Sequence, residues 1–256
     1  MADWVTQAPY GVRFEWGLAG AMALGPSSSC LVVVDVLSFT TSVSVAVEAG
    51  TRVYPYAWQD RSAADFARRH RAELAAHDRE DATAAPWSLS PAGLRRAPFT
   101  ERLVLPSPNG SSICAAAAAS GATVIAACLR NAGAVGSYLT ESGHGKPDRP
   151  VTVIAAGERW PDGGLRPSLE DLLGAGAVIS ALSGMLSPEA RAARACFAGI
   201  PDTAAAITAC ASGQELIARG FADDVAIAVE TATSPIVPVL TSGAFAAAPA
   251  APAAPA

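Results

Sequence analysis

Three polar stretches concentrate the side chains able to do chemistry. The first, "VVVDVLSFTTS" (Val32–Ser42), ends an apolar run on Asp35 and then supplies Thr40 and Thr41. The second, "PSPNGSS" (Pro106–Ser112), offers Asn109, Gly110, Ser111 and Ser112. The third, "AAGERWPDGGLRPSLEDLL" (Ala155–Leu173), crowds Glu158, Arg159, Asp162, Arg166, Ser168, Glu170 and Asp171 around Gly157, Gly163 and Gly164. Acids and arginines in a glycine-rich loop suit a site for a metal and a phosphate: carboxylates hold a cation and guanidinium groups take the anion. Each feature also has a plainer reading. Ser and Thr cap helices and Gly ends them. Ser168 with Asp171 three residues on is like a capping box, and Glu170 and Asp171 complement a helix dipole. Asn131, after "CLR", is either an N-cap or a substrate contact.

These residues need elements to position them. Leu31–Val36 is a continuous apolar run rich in β-branched residues, which predicts a strand buried on both faces. Thr41–Ala49 reads as a helix packed by small residues, Arg52–Tyr56 as a strand and residues 61–80 as a polar helix. Glu101–Ser107 is a strand running into a loop, Cys114–Ala119 a helix and Thr123–Cys128 a strand. Asn131–Glu141 is helical, Val151–Gly157 a strand and Leu169–Leu182 a helix, with further helices over Pro188–Cys196 and Pro201–Arg219. Such alternation predicts an α/β fold with a largely parallel sheet flanked by helices. "TSVSVAVEAGTRV" (Thr41–Val53) and "SICAAAAASGATV" (Ser112–Val124) share the order hydroxyl, helix, Gly, strand at the same offsets. They are repeated strand–polar turn–helix units. Either this is ordinary βαβ grammar, or two helix N-termini open onto one cleft outside the strand ends and collect an anion there. Residues 1–245 are expected to form one domain. The Ala/Pro-rich residues 246–256 cannot build a core and are expected to be disordered.

Composition excludes several classes of function. The chain has 256 residues, 51% hydrophobic, with a net charge of −5. That acidity disfavours a nucleic-acid partner. No run of apolar residues is long enough for a membrane span, and the N-terminus lacks a signal-peptide pattern, so a cytoplasmic location is expected. The five cysteines show no C-x-x-C spacing and read as reduced, mostly buried thiols. His70, His77 and His144 lie in polar or turn-like contexts and are read as structural, which disfavours a zinc site or a Ser-His-Asp triad. Asp35 has Leu37 two residues on, so the Asp-x-Asp of haloacid-dehalogenase phosphatases is missing. C-x5-R, G-x-x-x-x-G-K-[ST] and the G-x-G-x-x-G dinucleotide fingerprint are missing too.

Five motifs in order, "VVVDVLSFTTS", "SPNGSS", "ACLRNAGAV", "AAGERWPDGGLRPSLEDLLGAGAVI" and "SGQELIARGFADDVAIA", resemble the 2-phosphosulfolactate phosphatase family over roughly residues 10–245. The resemblance implies a three-layer α/β fold and a Mg2+-dependent phosphatase. The implied reaction turns (2R)-phosphosulfolactate into sulfolactate and phosphate, a step toward coenzyme M. It also implies Asp35, Glu158 and Asp171 as catalytic residues, with Asp35, Glu158, Glu170 and Asp171 supplying oxygen ligands to Mg2+. Thr40, Thr41, Asn109, Gly110, Ser111, Ser112, Asn131, Arg159, Arg166 and Ser168 would bind a small phosphorylated acid substrate. The first motif of the family usually reads D-V-L-R-A-T-T, and here Ser38 and Phe39 replace its Arg-Ala pair. Arg130, Arg159 or Arg166 is then expected to supply the missing cation, and Phe39 to favour a bulkier organic phosphate. A non-catalytic binder of a small anionic metabolite on the same scaffold is the other reading. A homo-oligomer is compatible with the sequence.

Overall fold

The protein is described by a computed structural model covering residues 3–57, 61–76, 79 and 85–249. The organising strand is β2 (Cys30–Val34), buried along its whole length. Its side chains alternate between two apolar clusters: Val32 and Val34 enter one, Leu31 and Val33 the other. A β-branched run facing helices on both sides has this pattern. The other early strands are β1 (Val12–Trp16), β3 (Arg52–Tyr56), β4 (Glu73–Leu74) and β5 (Arg102–Pro106). They are followed by β6 (Thr123–Ala127), β7 (Val151–Ala155), β8 (Glu158–Arg159), β9 (Leu165–Arg166), β10 (Pro238–Thr241) and β11 (Ala244–Ala247). The helices are α1 (Gly17–Leu24), α2 (Phe39–Glu48), α3 (Arg61–His70), α4 (Pro91–Arg96), α5 (Gly110–Ala119) and α6 (Ala132–Glu141). Then come α7 (Leu169–Ser180), α8 (Pro188–Gly199), α9 (Thr203–Ala209), α10 (Ala211–Ala218) and α11 (Ala222–Ala228).

The large sheet has nine strands in the order β1-β7-β2-β6-β10-β11-β3-β5-β4. Helices α6, α7 and α8 cover one face through Val135, Leu139, Leu173, Val178, Ala190 and Ala193. Helices α1, α2 and α5 cover the other through Ala21, Val43, Val47, Ile113 and Ala117. This is the three-layer α/β fold expected. Strands β1, β7, β2 and β6 run parallel to one another, and so do β3, β5 and β4. The β10–β11 hairpin joins these two blocks by three antiparallel pairings, so the blocks run in opposite senses. Its turn is built on Ser242 and Gly243, both at positive φ (53° and 81°), as a tight two-residue hairpin requires.

Three expectations are revised. The C-terminal domain boundary moves: β11 continues through Ala247, pairing Ala246 with Val239, and Phe245 is fully buried. Backbone pairing with β10 holds these alanines without bulky side chains, so a low-complexity composition hid the strand. Residues 250–256 of the expected tail lie outside the described residues. The polar helix ends at His70, where Arg71 takes a φ of 50° and the chain turns into β4. Part of its expected C-terminal half, His77 included, lies outside the described residues. The single helix over 201–219 is two, because Cys210 is extended (φ −69°, ψ 167°) and its sulfur accepts from Gly213 N to cap α10.

Candidate active site

Asp35 sits one residue past β2, buried, with its carboxylate shared between two helix starts. Phe39 N, at the start of α2, donates to Oδ1 at 3.0 Å, and Gly110 N, at the start of α5, donates to Oδ2 at 3.1 Å. The two repeated units therefore do converge, and the anion at their N-termini is the side chain of Asp35 itself. Helix starts favour negative charge there because their first N–H groups lack helical partners. No side chain fits between these groups: a Cβ on Gly110 would lie 2.4 Å from Phe39 Cδ1 and 2.7 Å from Asp35 Oδ2.

The threonines close the same turn. Thr40 Oγ1 donates to Asp35 O at 2.8 Å and accepts from Asp35 N at 2.9 Å, while Thr41 Oγ1 donates to Val36 O at 2.8 Å. Both are fully buried. Their hydroxyl protons are spent on the backbone and not aimed at a ligand. Asp171 clasps two loops together: Oδ1 accepts from Val36 N at 2.7 Å, and Oδ2 from Gly157 N at 2.8 Å and Ser168 Oγ at 2.9 Å. Glu170 is buried beside it, and the thiol of Cys210 donates to its Oε2 at 3.2 Å.

Glu158 and Asn109 form a further arc. Asn109 Nδ2 donates to Glu158 Oε2 at 2.9 Å, and Arg159 Nε donates to Asn109 Oδ1 at 3.0 Å. Asp35, Glu158 and Asn109 line one cavity of about 260 Å3, together with Ser38, Arg79, Ser212, Glu215 and Arg219 among others. Arg166 reaches its edge, donating to Ser212 Oγ at 3.3 Å.

The acids are electrostatically strained. Burial, opposed by the two backbone N–H bonds, pushes the Asp35 carboxyl up to about 6. Burial first, then the charges of Asp35 and Glu170, pushes Glu158 up to about 7. The same causes raise Asp171 well above the usual carboxylate range. Clustered buried carboxylates repel one another, and such perturbation concentrates at functional sites. Among the described residues, no three carboxylates, thiols or imidazoles stand as a preassembled metal cluster.

A protein-family model described as 2-phosphosulpholactate phosphatase matches residues 22–243. The chain belongs to this phosphatase family. It is a family of phosphoric monoester hydrolases, and the matched span takes in every residue of the cavity. No curated protein sequence matches the chain.

Within this phosphatase chain several residues expected at the site do other work. Asn131 is fully buried and pins a turn, accepting from Cys128 N at 2.9 Å and donating to Ala126 O and Ile236 O. Ser111 Oγ donates to Leu105 O and Ser112 Oγ to Pro108 O. Arg130 is buried in ion pairs with Glu48 and Glu230, donates to Ser44 Oγ and does not line the cavity, so it is not the missing cation. Phe39 is fully buried edge-to-face against Phe245 and does not line the cavity, which removes the ground for a bulkier substrate. His70 stacks on Phe66 and Tyr54, and His144 bonds Ser29 Oγ. The charged cavity residues that sequence reasoning passed over are Arg79, Glu215 and Arg219. The last two lie in the quoted motif "SGQELIARGFADD", whereas Arg79 carries no motif at all.

Proposed function

We propose that this chain is a Mg2+-dependent phosphatase that hydrolyses a compact acidic phosphoester of the 2-phosphosulfolactate type. The observation that carries the reading is the small polar cavity onto which Asp35 and Glu158 both open. Mg2+ takes one or two carboxylates and keeps its remaining positions for water and substrate phosphate. Asp35 and Glu158 would hold the ion, with Glu170 and Asp171 adding negative potential from behind. When bound, it supplies charge neutralisation at the phosphoryl oxygens.

The chain's own groups do the rest. Two backbone N–H bonds fix Asp35 in one orientation. Asn109 fixes Glu158 in the same way, by donating to its Oε2. The cavity, at about 260 Å3 and lined mainly by polar and charged groups, suits a compact, highly charged substrate.

The test is phosphate release from a panel of small phosphorylated hydroxy acids, with Mg2+ and after chelation. Release that needs the cation and falls with substrate bulk is expected. Stabilisation by these compounds without any release would replace the phosphatase with a non-catalytic binder.

A further inference from the structure

The cavity that carries Asp35 and Glu158 also has a wall of opposite charge, made by Arg79 and Arg219. Arg79 Nη1 donates to Asp224 Oδ2 at 3.1 Å, and Nη2 donates to Ser38 Oγ at 2.9 Å. Its guanidinium carbon lies 5.7 Å from the centroid of the Phe221 ring, and the side chain is only 12% exposed. Asp224 is held in turn: its Oδ1 accepts from Ser90 Oγ at 2.6 Å and from Ala92 N at 2.9 Å. Arg219 approaches the same ring, with its guanidinium carbon 5.7 Å from the centroid.

A buried ion pair is a poor way to gain stability, because desolvation consumes most of the attraction. Here the pair fixes a planar fork of donors at the wall of a cavity. A guanidinium has five N–H donors, and two hydrogen bonds brace this one. The remaining donors belong to a group that stays charged at any working pH and matches phosphate oxygens in geometry. Arg219, paired with Glu215 at 4.0 Å, brings a second guanidinium to the same ring.

We infer that Arg79, braced by Asp224 and Ser38, is the anion clamp of this cavity and holds the phosphoryl group against the acid-lined wall. The assignment deepens the phosphatase reading and rests on it for the identity of the substrate, though anion binding itself needs no turnover. It also accounts for the first motif. Ser38 has no charge of its own, but its hydroxyl receives the guanidinium of Arg79, delivered from the loop after β4. Asp224 is then a positioning residue that never touches the ligand.

The test measures binding of inorganic phosphate to the full chain by titration calorimetry, with and without Mg2+. Loss of one charge-assisted contact should weaken phosphate about tenfold to a hundredfold in Arg79→Ala, with a smaller loss in Arg79→Lys. The double variant Arg79→Ala/Asp224→Asn removes the stranded carboxylate charge and should show the same loss. Folded variants that bind phosphate as the native chain does, or a native chain that does not bind it at millimolar concentration, overturn the assignment. If the variants do not fold, the native chain decides. Modification of Arg79 by phenylglyoxal should be slowed by phosphate and not by chloride at equal ionic strength, and equal rates overturn the clamp. Arg79-dependent phosphate binding without turnover of any phosphoester would end the phosphatase reading and leave the clamp standing. Turnover with Arg79-independent binding would end the clamp alone.

Discussion

Adding one methyl group at Gly110 tests how tightly the Asp35 carboxylate is held. The new Cβ would meet Phe39 Cδ1 at 2.4 Å, Asp35 Oδ2 at 2.7 Å and Phe39 Cγ at 2.8 Å. Ordinary carbon contacts sit near 3.5–4.0 Å, so about 1 Å of movement is needed. Neither neighbour yields easily. The Phe39 ring is fully buried against Phe245, and the carboxylate is held by two backbone N–H groups. Overpacking of this kind costs about 1–3 kcal/mol. Alanine favours a helix over glycine by up to about 1 kcal/mol, which offsets only part of that. With midrange values the net cost is about 1.5 kcal/mol, and at about 2–4 °C per kcal/mol for a chain of this size Gly110→Ala should lower Tm by about 3–6 °C. Gly133, early in α6, is the control, since a Cβ there meets nothing within 4 Å. Gly133→Ala should hold or raise Tm. Displacing Asp35 by a fraction of an ångström should also reduce turnover, by up to about a hundredfold for a full 1 Å. Differential scanning calorimetry of both variants, with a phosphate-release assay, reads both effects. If Gly110→Ala melts at or above the native chain and turns over normally, the close packing around Asp35 is wrong.

Three further outcomes are expected. Asp35→Asn turns an amide N–H toward one helix-start N–H, leaving it unpaired at a cost of about 1–3 kcal/mol, partly offset by removing a buried charge; phosphate release should be lost, and retained Mg2+-dependent turnover would exclude Asp35 as a ligand. A chain ending at residue 249 should melt like the full chain, whereas one ending at Phe245 should be destabilised, because it loses the Ala246 and Ala247 pairings and the Ala248 N to Val237 O bond; equal melts for both would show that the strand end contributes nothing. Glu230 is held down to about 2 by its bond to Arg95 and then by Arg130, a folded value below the unfolded one, so its stabilisation is present above about 4.5 and lost as pH falls toward 2; Glu230→Gln should flatten that limb of an acid-unfolding curve, and an unchanged limb would remove the ion pair from the account.

Much of the fold could be read in the sequence because local pattern and burial agree there. Arg52–Tyr56 is a strand as expected, and the β2 run lies between two cores as its composition implies. Asp35, Asn109 and Glu158 come one from each of the three polar stretches, and the fold brings them to one cavity. The hydroxyls misled for a physical reason: Thr40, Thr41, Ser111 and Ser112 have the right chemistry for an anion but satisfy their own backbone first. Strand β1 alternates Val12, Phe14 and Trp16 with Arg13 and Glu15, a strand pattern too short to stand out, and Arg13 is nonetheless buried, donating to Ala8 O, Tyr10 O and Ser27. Arg79 could not be found from local pattern at all. Its place is set by Asp224, 145 residues away in sequence.

The C-terminal hairpin also bears on how the chain is made. Strands β10 and β11 form the only hydrogen-bonded bridge between the two parallel blocks in the described sheet. During synthesis β6 and β3 therefore exist before the strands that cover them. Until residue 247 has emerged, a nascent chain carries two half-sheets with bare inner edges, the kind of edge that recruits other chains. The strands that seal them follow both blocks in sequence, so the sheet can close only after both blocks have been made.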